Sequence, residues 1–336
     1  MSVTIKDVAK LANVSTATVS LVVNQKAHRI SAKTKLRVQE AIKNLGYQPN
    51  YTARSLVSSQ SFTIGLIVPE ITNPFFSEFA RNLEKNFHKF GYLTFLCNSG
   101  EDLSLEERYI DKLIGHSVDG LIICGLSEKS KAKIPLLKKH KIPFLILDNR
   151  RVKNDFSIGI DDYAGGQLVA NHLIELNHQV CAFVGDFSGY SNILRRYKGF
   201  AHTLTKAGKE LIMFTSALTQ SGGQQVAKQI FDSRATAIFC SNDLIAVGIY
   251  EQANLHGINL PEDLSIVGFD DISFANILSP KLTTIRQPVE EMALIATDYI
   301  VRMIIDKQYQ AEAHILPVEL LIRQSTASPP NKERRD

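Results

Sequence analysis

The sequence predicts an α/β protein in which an N-terminal helix-turn-helix head precedes a core of two lobes, each a parallel sheet flanked by helices. Three observations support this fold class. Two short segments with helical apolar spacing lie within residues 4–23 and are separated at Asn13. From residue 62 onwards, short apolar runs alternate with amphipathic segments of helical length. The chain has 336 residues, more than one typical domain holds.

The helix pair at residues 4–23 has apolar residues at the spacing that packs two short helices together. Val8 and Ala12 share one face of the first segment, and Val19 and Val22 share one face of the second. Asn13 stands at the turn, where the chain needs a residue that tolerates a left-handed conformation. The turn residue and the apolar spacing therefore agree on a helix-turn-helix.

The second segment has the features of a recognition helix. Ser15 is predicted to cap its N-terminus. In a helix-turn-helix the N-terminal residues of the second helix enter the major groove of DNA. An ordinary helical hairpin with a solvated polar face is the alternative. The residues predicted on or near the free face are Thr16, Ala17, Thr18, Ser20 and Leu21.

Charge is distributed unevenly along the chain. Residues 1–60 contain nine Lys and Arg against Asp7 and Glu40, a net charge of +7. The whole chain has a net charge of +4, so the remaining residues carry −3. A basic head on a mildly acidic body is typical of a phosphate-contacting module attached to another domain.

A third helix and a short connecting segment follow the helix pair. The third helix is predicted at about residues 31–45, with Ser31 as its cap and Gly46 at its end. In the stretch YQPNYTARSLVSSQS, about two helical turns fit between Asn50 and the Ser-rich run at 58–61. A helix this short forms only against a partner, and a plain linker is the alternative. Leu56 is an apolar residue that nothing nearby buries.

Nine short apolar runs from residue 62 onwards are predicted strands. Strands that alternate with helices form parallel sheets covered on both faces, and nine strands exceed one small sheet, so two lobes are expected. Ser104 with Glu107 predicts a capping box at one helix start, and Asn73 followed by Pro74 predicts another helix start. The runs lie at 62–68, 92–97, 119–124, 143–147, 157–160, 180–185, 210–214, 235–240 and 264–269.

The composition is that of a globular protein with reduced thiols. The sequence is 44% hydrophobic and 21% charged. Charges interrupt MSVTIKDVAK where a secretory signal needs its apolar run, and no apolar stretch is long enough to span a membrane. A cytoplasmic protein is therefore expected. The four cysteines lie at or near predicted strand ends without a C-x-x-C pair, which favours core thiols over disulfides or a metal site. The tail SPPNKERRD is expected to be disordered.

Polar and aromatic side chains follow the predicted strands at the edge where a ligand binds. In open parallel sheets, ligands bind at the carboxyl ends of the strands. Carboxylates accept hydrogen bonds from hydroxyls, Arg donates in a fork, and a ring covers the apolar face of a sugar, so the set suits a polyhydroxylated molecule. Helix caps and turns are the alternative for the amides and carboxylates. The residues are Asn73, Phe75, Phe76, Asp161, Asp162, Asn192, Arg195, Arg196, Asn242, Asp243, Asp270 and Asp271.

The sequence contains no motif that predicts an enzyme. Phosphate-binding glycine loops, metalloprotease motifs and the G-x-S-x-G nucleophile motif are missing from it. The Asp161/Asp162 and Asp270/Asp271 pairs offer carboxylates, but adjacent residues point apart and rarely share one site. His172 and His178 are interpreted as surface or packing residues. No catalytic residue, metal or cofactor is therefore predicted.

Seven motifs in order extend over nearly the whole chain: TIKDVAKLANVSTATVSLVVN, LGYQPNYTARSL, GLIVPEITNPFF, RRYKGF, SNDLIAVG, LSIVGFDD and LTTIRQP. Together they resemble the lac/gal repressor family of bacterial transcription regulators. The resemblance implies a homodimer whose chains each carry a DNA-binding head and a core like the periplasmic sugar-binding proteins. It also implies that the chain crosses between the lobes three times.

The resemblance assigns a role to individual residues. Thr16, Ala17 and Leu21 match base-contacting places, and Leu56 matches a hinge leucine that wedges into the minor groove of the operator. The DNA-binding set is Thr4, Ser15, Thr16, Ala17, Thr18, Ser20, Leu21, Asn24, His28, Tyr47, Asn50, Arg54 and Leu56. The effector-binding set is Phe75, Phe76, Asp161, Asn192, Arg196, Asn242 and Asp270.

The expected domains follow from the motifs and the resemblance. They are a head at 1–48, a hinge helix and linker at 49–61, a first lobe at 62–161 with a return segment at about 289–318, a second lobe at 162–288 with about 319–327, and a tail at 328–336. Leu21 stands where relatives often have a polar base-reading residue, so their operator preference does not transfer. The C-terminus lacks a leucine heptad, so the tetramer-forming tail of the family's founding member is not expected.

The sequence therefore predicts a dimeric repressor of carbohydrate-use genes that binds double-stranded operator DNA. Its effector is expected to be a sugar or sugar phosphate between the lobes, with ribose or another pentose as the specific expectation. A purine corepressor, a sugar-binding protein without a regulatory role and an α/β enzyme acting on a sugar are the alternatives. No membrane partner is expected.

Overall fold

The computed structural model describes residues 3–23, 30–48, 60–100, 102–125, 130–147, 157–187, 191–309 and 312–329. The chain divides into two compact units, Met1–Phe62 and Thr63–Asp336. The fold class predicted from the sequence is confirmed, with a helical head and two α/β lobes.

The head consists of α1 (Ile5–Leu11), α2 (Thr16–Val23) and α3 (Ala32–Leu45). Asn13 has a φ of 48°, so the left-handed turn predicted between the first two helices is confirmed. The Ser15 hydroxyl accepts a hydrogen bond from the Thr18 amide at 3.1 Å. Ser31 caps α3 in the same way and Gly46 ends it at a φ of 61°. The core of the head comprises Val8, Ala9, Ala12, Val19, Val38 and Ala41.

The first lobe is built on a parallel sheet that, among the described residues, has six strands in the order β11-β5-β4-β3-β1-β2. The strands are β1 (Thr63–Val68), β2 (Leu93–Asn98), β3 (Gly120–Cys124), β4 (Phe144–Leu147), β5 (Ser157–Ile160) and β11 (His314–Leu316). The helices are α4 (Pro74–Lys89), α5 (Leu103–Gly115), α6 (Ile134–Lys139) and α11 (Val289–Ile305).

The second lobe has a sheet of six strands within the described ranges, in the order β12-β10-β9-β8-β6-β7. The strands are β6 (Val180–Gly185), β7 (Glu210–Thr215), β8 (Ala237–Cys240), β9 (Ser265–Asp270), β10 (Thr283–Arg286) and β12 (Glu319–Leu321), and only β12 runs antiparallel to its neighbour in that part of the chain. The helices are α7 (Asp162–Glu175), α8 (Ser191–Lys206), α9 (Gln220–Phe231) and α10 (Asp243–His256).

Close helix packing in the second lobe depends on glycine. A Cβ at Gly199 in α8 would lie 2.0 Å from the Tyr163 carbonyl oxygen in α7, and one at Gly166 would lie 2.1 Å from the Arg196 carbonyl oxygen. Real Cβ atoms do not approach a carbonyl oxygen that closely, so only glycine lets the two backbones meet. This contact sets the position of α8, which carries Arg196.

Two local predictions need correction. The capping box at Ser104 and Glu107 is wrong, because α5 begins at Leu103 and the Asp102 carboxylate caps it by accepting from the Ser104 and Leu105 amides. The strands β10, β11 and β12 were not predicted, because β11 and β12 have only three residues each and β10 has a single apolar residue, Ile285, among its four. The helix start at Asn73 and Pro74 is confirmed.

Two histidines pack inside the second lobe, and the four cysteines form no disulfide. His172 and His178 are buried, and His178 contacts the Thr236 hydroxyl at 2.8 Å and the Ala327 carbonyl oxygen at 2.9 Å. Burial lowers the pKa of His178 to about 4, so this ring is neutral at physiological pH. Cys97, Cys124, Cys181 and Cys240 are free thiols. No helix in the described ranges is both long and apolar enough to cross a lipid bilayer.

Candidate functional site

A cleft of about 320 Å³ opens between elements of both lobes. The first lobe contributes the starts of α4 and α11, and the second lobe contributes the turn after β9. Its lining residues are Phe75, Glu78, Asp270, Asp271, Ile272, Arg286, Gln287, Pro288, Val289, Glu290 and Glu291.

The aromatic wall stands at the N-terminus of α4. The Asn73 side chain accepts a hydrogen bond from the Phe75 amide at 3.0 Å and so fixes the start of the helix. Phe75 and Phe76 meet edge to face, with their ring centroids 5.1 Å apart. Phe75 is buried and Phe76 is half-buried. Asn73 therefore acts as a cap here, while the two rings supply an apolar surface.

Arg196 is the central cation of the site and is only 3% exposed. Its Nε donates to Asp162 at 3.0 Å, and its Nη1 donates to the Ser241 carbonyl oxygen at 2.6 Å. Its Nη1 also lies 3.8 Å from the Asp270 carboxylate. Two buried carboxylates thus share one guanidinium, which is the arrangement that makes a buried charge tolerable.

Asp270 ends β9 and is 8% exposed. Its Oδ1 accepts a hydrogen bond from the Gln287 side-chain amide at 2.6 Å. Burial raises the pKa of Asp270 to about 6, although Arg196 and Gln287 act in the opposite direction. The carboxylate is therefore charged at neutral pH and able to accept hydrogen bonds from a hydroxylated ligand.

The remaining predicted effector residues, Asp161, Asn192 and Asn242, are not among the residues that line the cleft. The Asp161 carboxylate caps α7 by accepting from the Ala164 amide, and lies 3.7 Å from Arg195. The Asn242 side chain caps α10 by accepting from the Ile245 amide and donates to the Leu218 carbonyl oxygen. Asn192 is half-buried in the first turn of α8. Arg196 and Asp270 are thus brought together, whereas Asp161 and Asn242 have capping roles as well.

Sequence reasoning left two residues of this cluster out of the effector-binding set. Asp162 was selected among the strand-end residues but not assigned to that set, and Gln287 was not considered as a site residue. Gln287 lies directly after β10, at a carboxyl end of the second sheet, so the strand-end rule finds it once β10 is recognised.

The candidate DNA-binding residues of the head lie around α2. Ser15, Thr16, Ala17 and Leu21 are exposed, and Thr18, Ser20 and Tyr47 are half-buried. The Thr4 hydroxyl is exposed and donates to Asp7 at 2.7 Å. Asn24, His28, Asn50, Arg54 and Leu56 lie outside the described residues.

Within the described ranges, no three or more His, Cys, Asp and Glu side chains are grouped so as to hold a metal ion. The buried carboxylates of the site are instead matched by Arg196.

Comparisons with protein families match both parts of the chain. Residues 4–50 match the model for bacterial regulatory proteins of the lacI family, and residues 170–326 match a periplasmic binding protein-like domain. The ribose operon repressor of Halalkalibacterium halodurans is 34% identical over 98% of this chain and 99% of its own length. The repressor PurR of Aliivibrio salmonicida is 34% identical over 96% of this chain and 98% of its own length.

Solved structures extend the similarity to three dimensions. A regulator from Enterococcus faecium with bound ribose has a TM-score of 0.74 and 34% identity, over 79% of this chain and 99% of its own. The Lac repressor dimer bound to operator and an anti-inducer has a TM-score of 0.86 and 28% identity, over 97% of this chain and 100% of its own.

Proposed function

The chain belongs to the lacI family of bacterial regulatory proteins and is a DNA-binding repressor, not an enzyme; on this premise we propose that it represses carbohydrate-use genes in response to a ribose-like sugar. The buried cluster of Asp162, Arg196, Asp270 and Gln287 beside the Phe75–Phe76 wall is the observation that carries this proposal. A pentose offers hydroxyls to the carboxylates and an apolar face to the rings.

The exposed face of α2 supports operator binding. Ser15, Thr16, Ala17 and Leu21 form this face at the N-terminal part of a capped recognition helix. The net charge of +7 on residues 1–60 supplies the attraction to phosphate that holds such a head on duplex DNA. We assign the full predicted DNA-binding set to this function, including the residues outside the described ranges.

A homodimer is the proposed assembly, as in the Lac repressor dimer. The first sheet ends in β2, whose outer residues Leu93, Phe95 and Leu96 are 58%, 37% and 46% exposed. Phe90 beside them is 54% exposed. An edge strand with several exposed apolar side chains is a surface that a second copy of the chain would cover.

The proposed lobes take segments that are distant in sequence. We assign 62–161 and about 289–318 to the first lobe, because α11 packs on α4 and β11 pairs with β5. The second lobe takes 162–288 and about 319–327, because β12 pairs with β10. Residues 1–48 are the head and 49–61 the hinge and linker. An effector between these lobes changes DNA affinity only if it binds their two arrangements with different affinity.

A purine corepressor is the second candidate effector. The similarity to PurR, equal in identity to that of the ribose repressor, favours it. Purine rings would stack on Phe75 and Phe76, whereas a pentose would use the carboxylates more fully.

The experiment uses the full chain in a thermal-shift screen against ribose, other pentoses, hexoses, sugar phosphates and purines. A ligand at about a hundred times its Kd raises stability by roughly 2.7 kcal/mol. A ribose hit that releases a selected operator duplex in an electrophoretic assay supports the proposal. A purine that binds and tightens the DNA complex would instead support the purine corepressor function and contradict the proposed ribose response.

A further inference from the structure

Asp243 is a fully buried carboxyl group that joins three elements of the second lobe. It is the first residue of α10, follows the Asn242 cap and is 0% exposed. Its Oδ1 lies 2.6 Å from the Thr284 hydroxyl of β10. Its Oδ2 accepts a hydrogen bond from the Ile272 amide, just after β9, at 2.9 Å. The group therefore fastens the chain beyond β9 to a helix and to the next strand.

The Asp243 carboxyl group fits against β9 because residue 268 is a glycine. A Cβ at Gly268 would lie 2.0 Å from Asp243 Oδ1, so only glycine leaves room at this place in β9. Gly268 is also the register partner of Thr284 across the β9–β10 pair. Asp243 thus lies against the backbone of β9 two residues before Asp270.

The turn that Asp243 fastens has an unusual backbone. Asp270 has a φ of 116° and Asp271 a φ of 58°, both in the region that residues with a side chain rarely adopt. Such conformations persist only where the surroundings hold them. Asp271 is held by Arg286 at 2.9 Å and Arg323 at 2.5 Å, and the Ile272 amide is held by Asp243. The direction of the Asp270 side chain depends on this turn.

The environment of Asp243 favours its neutral form. Burial raises the pKa of Asp243 well above its usual range, and the neighbouring Asp270 carboxylate adds to the effect. Asp243 accepts both hydrogen bonds, from the Thr284 hydroxyl at Oδ1 and from the Ile272 amide at Oδ2. An asparagine has the same shape: its oxygen can accept from the Ile272 amide, and its side-chain amide can donate to the Thr284 hydroxyl oxygen.

We propose that Asp243 is a positioning residue of the effector site, which holds Ile272 and thereby sets the direction in which Asp270 presents its carboxylate to the ligand. Asp243 itself is covered by β9 and does not touch the effector. The inference rests on the proposed function in one respect, since ribose is the ligand used to measure the positioning.

The test compares four variants of the full chain: Asp243→Asn, Asp243→Ala, Thr284→Val and Thr297→Val. Thr297 is a matched control, because it is also a buried threonine with one hydroxyl hydrogen bond, to the Ala293 carbonyl oxygen of α11 in the first lobe. Ribose affinity is measured by calorimetry, and protection of the Ile272 amide by hydrogen exchange of a peptide over 270–276.

Asp243→Asn is expected to keep both ribose affinity and Ile272 protection close to those of the parent chain. Asp243→Ala leaves the Ile272 amide unpaired and is expected to weaken ribose binding by roughly tenfold or more, with faster exchange at Ile272. Thr284→Val is expected to weaken ribose binding and to speed exchange at Ile272, as Asp243→Ala does. Thr297→Val lowers the melting temperature without changing either.

Two results would overturn the positioning role. One is unchanged Ile272 exchange in Thr284→Val, which decides the matter even if Asp243→Ala does not fold. The other is an equal loss of affinity in Thr284→Val and Thr297→Val, which would indicate general destabilisation. If ribose does not bind the parent chain, the proposed effector is wrong, while the exchange of Ile272 still tests the role of Asp243.

Discussion

The guanidinium of Arg196 lies over the ring of Phe269, with its Cζ 3.5 Å from the ring centroid. Phe269 directly precedes Asp270 in β9, so one strand supplies both a ring below the cation and a carboxylate beside it. Stacking and hydrogen bonds together hold the plane of the guanidinium, which a flexible ammonium group cannot reproduce. A lysine at position 196 therefore keeps the positive charge but loses the fixed orientation, so mutation can separate the effects of the two.

Arg196→Lys is expected to abolish most effector binding although the charge is kept. The shorter, non-planar ammonium cannot contact Asp162, Asp270 and the Ser241 carbonyl oxygen together. Removing the cation altogether, in Arg196→Ala, leaves two buried carboxylates unpaired and is expected to cost about 3–5 kcal/mol of stability. Calorimetry with ribose and chemical denaturation measure the two effects. Arg234→Lys is the control, because Arg234 is an exposed cation of the second lobe that pairs with Glu210, and it should change affinity little; equal losses in both lysine variants would contradict the assignment.

Affinity for a hydroxylated effector is expected to rise with pH through about 6. Burial raises the pKa of Asp270 to about 6, and the charged carboxylate is the form that accepts hydrogen bonds from hydroxyls. Below that pH the group is protonated, so binding weakens as pH falls. Calorimetry between pH 5 and about 8 measures this dependence.

The stability of the ligand-free protein is expected to change in the opposite sense. Because the folded-state pKa of Asp270 is raised, its contribution to stability is present below about pH 4 and is lost as pH rises through about 6. Asp270→Asn removes this titration, so its denaturation free energy should vary less with pH in that window. An unchanged pH dependence in the variant would show that another group is responsible.

Gly199→Ala is expected to destabilise the second lobe and weaken effector binding together. The added methyl would meet the Tyr163 carbonyl oxygen at 2.0 Å, so α8 must move, and Arg196 lies one turn away on the same helix. Overpacking of this kind typically costs about 1–3 kcal/mol. Gly115→Ala is the matched control, because nothing lies within 4 Å of its Cβ, and it should be neutral or slightly stabilising. Denaturation curves of both variants, with ribose calorimetry, provide the comparison.

Leu21 is expected to recognise a thymine methyl group in the operator. Its side chain is 42% exposed on α2 and has no hydrogen-bonding group. Leu21 can therefore distinguish bases only by apolar contact, which in the major groove means contact with the thymine methyl group. The operator is first selected from a random duplex library. Replacing individual thymines by deoxyuridine, which removes only the methyl, should then weaken binding at one position of each half-site. Leu21→Ala should abolish that difference, and uniform insensitivity of the parent chain to deoxyuridine would contradict the contact.

Leu93→Lys is expected to shift the protein from dimer to monomer. The residue is 58% exposed on the edge strand β2, and a charge buried in an apolar interface is unfavourable. Ile305→Lys, on α11, is the control because Ile305 is 78% exposed on a different element. Sedimentation velocity measures the association state. A dimer that survives the Leu93 change would place the interface elsewhere.

The helices of the head and the positions of nine strands were predictable, because turn residues and apolar runs mark them along the chain. Asn13 and Gly46 each predict a residue in the left-handed conformation, and both have positive φ in the structure. The nine longer apolar runs all correspond to strands, with ends within two residues of the predicted ones. Strands β11 and β12 have only three residues and β10 has one apolar residue among four, so none of them forms an apolar run. The pairing of β11 and β12 comes from neighbours that are distant in sequence.

Only part of the effector site could be predicted from the sequence, because some of its contacts depend on how distant elements pack. Arg196 and Asp270 carry chemistry that a strand-end rule selects. The same rule selects Asp162, but its contact with Arg196 comes from the packing of α7 on α8. Gln287 joins the cluster through the pairing of β10 with β9, which no local pattern predicts. The capping box at Ser104 was wrong because two cap signals overlap there, and the Asp102 carboxylate reaches two amides.

The late position of β11 and β12 has a consequence for synthesis. A ribosome delivers the chain from its N-terminus at about 5–20 residues per second. The head, to which the described helices α1 to α3 belong, is one compact unit within the first 62 residues. The first sheet, in contrast, lacks an edge strand until His314–Leu316 emerges, and the second until Glu319–Leu321 does. A nascent chain therefore presents a finished head long before either lobe can close its sheet. The DNA-binding head is therefore expected to fold first during synthesis, and the two lobes are expected to complete their sheets together near the end.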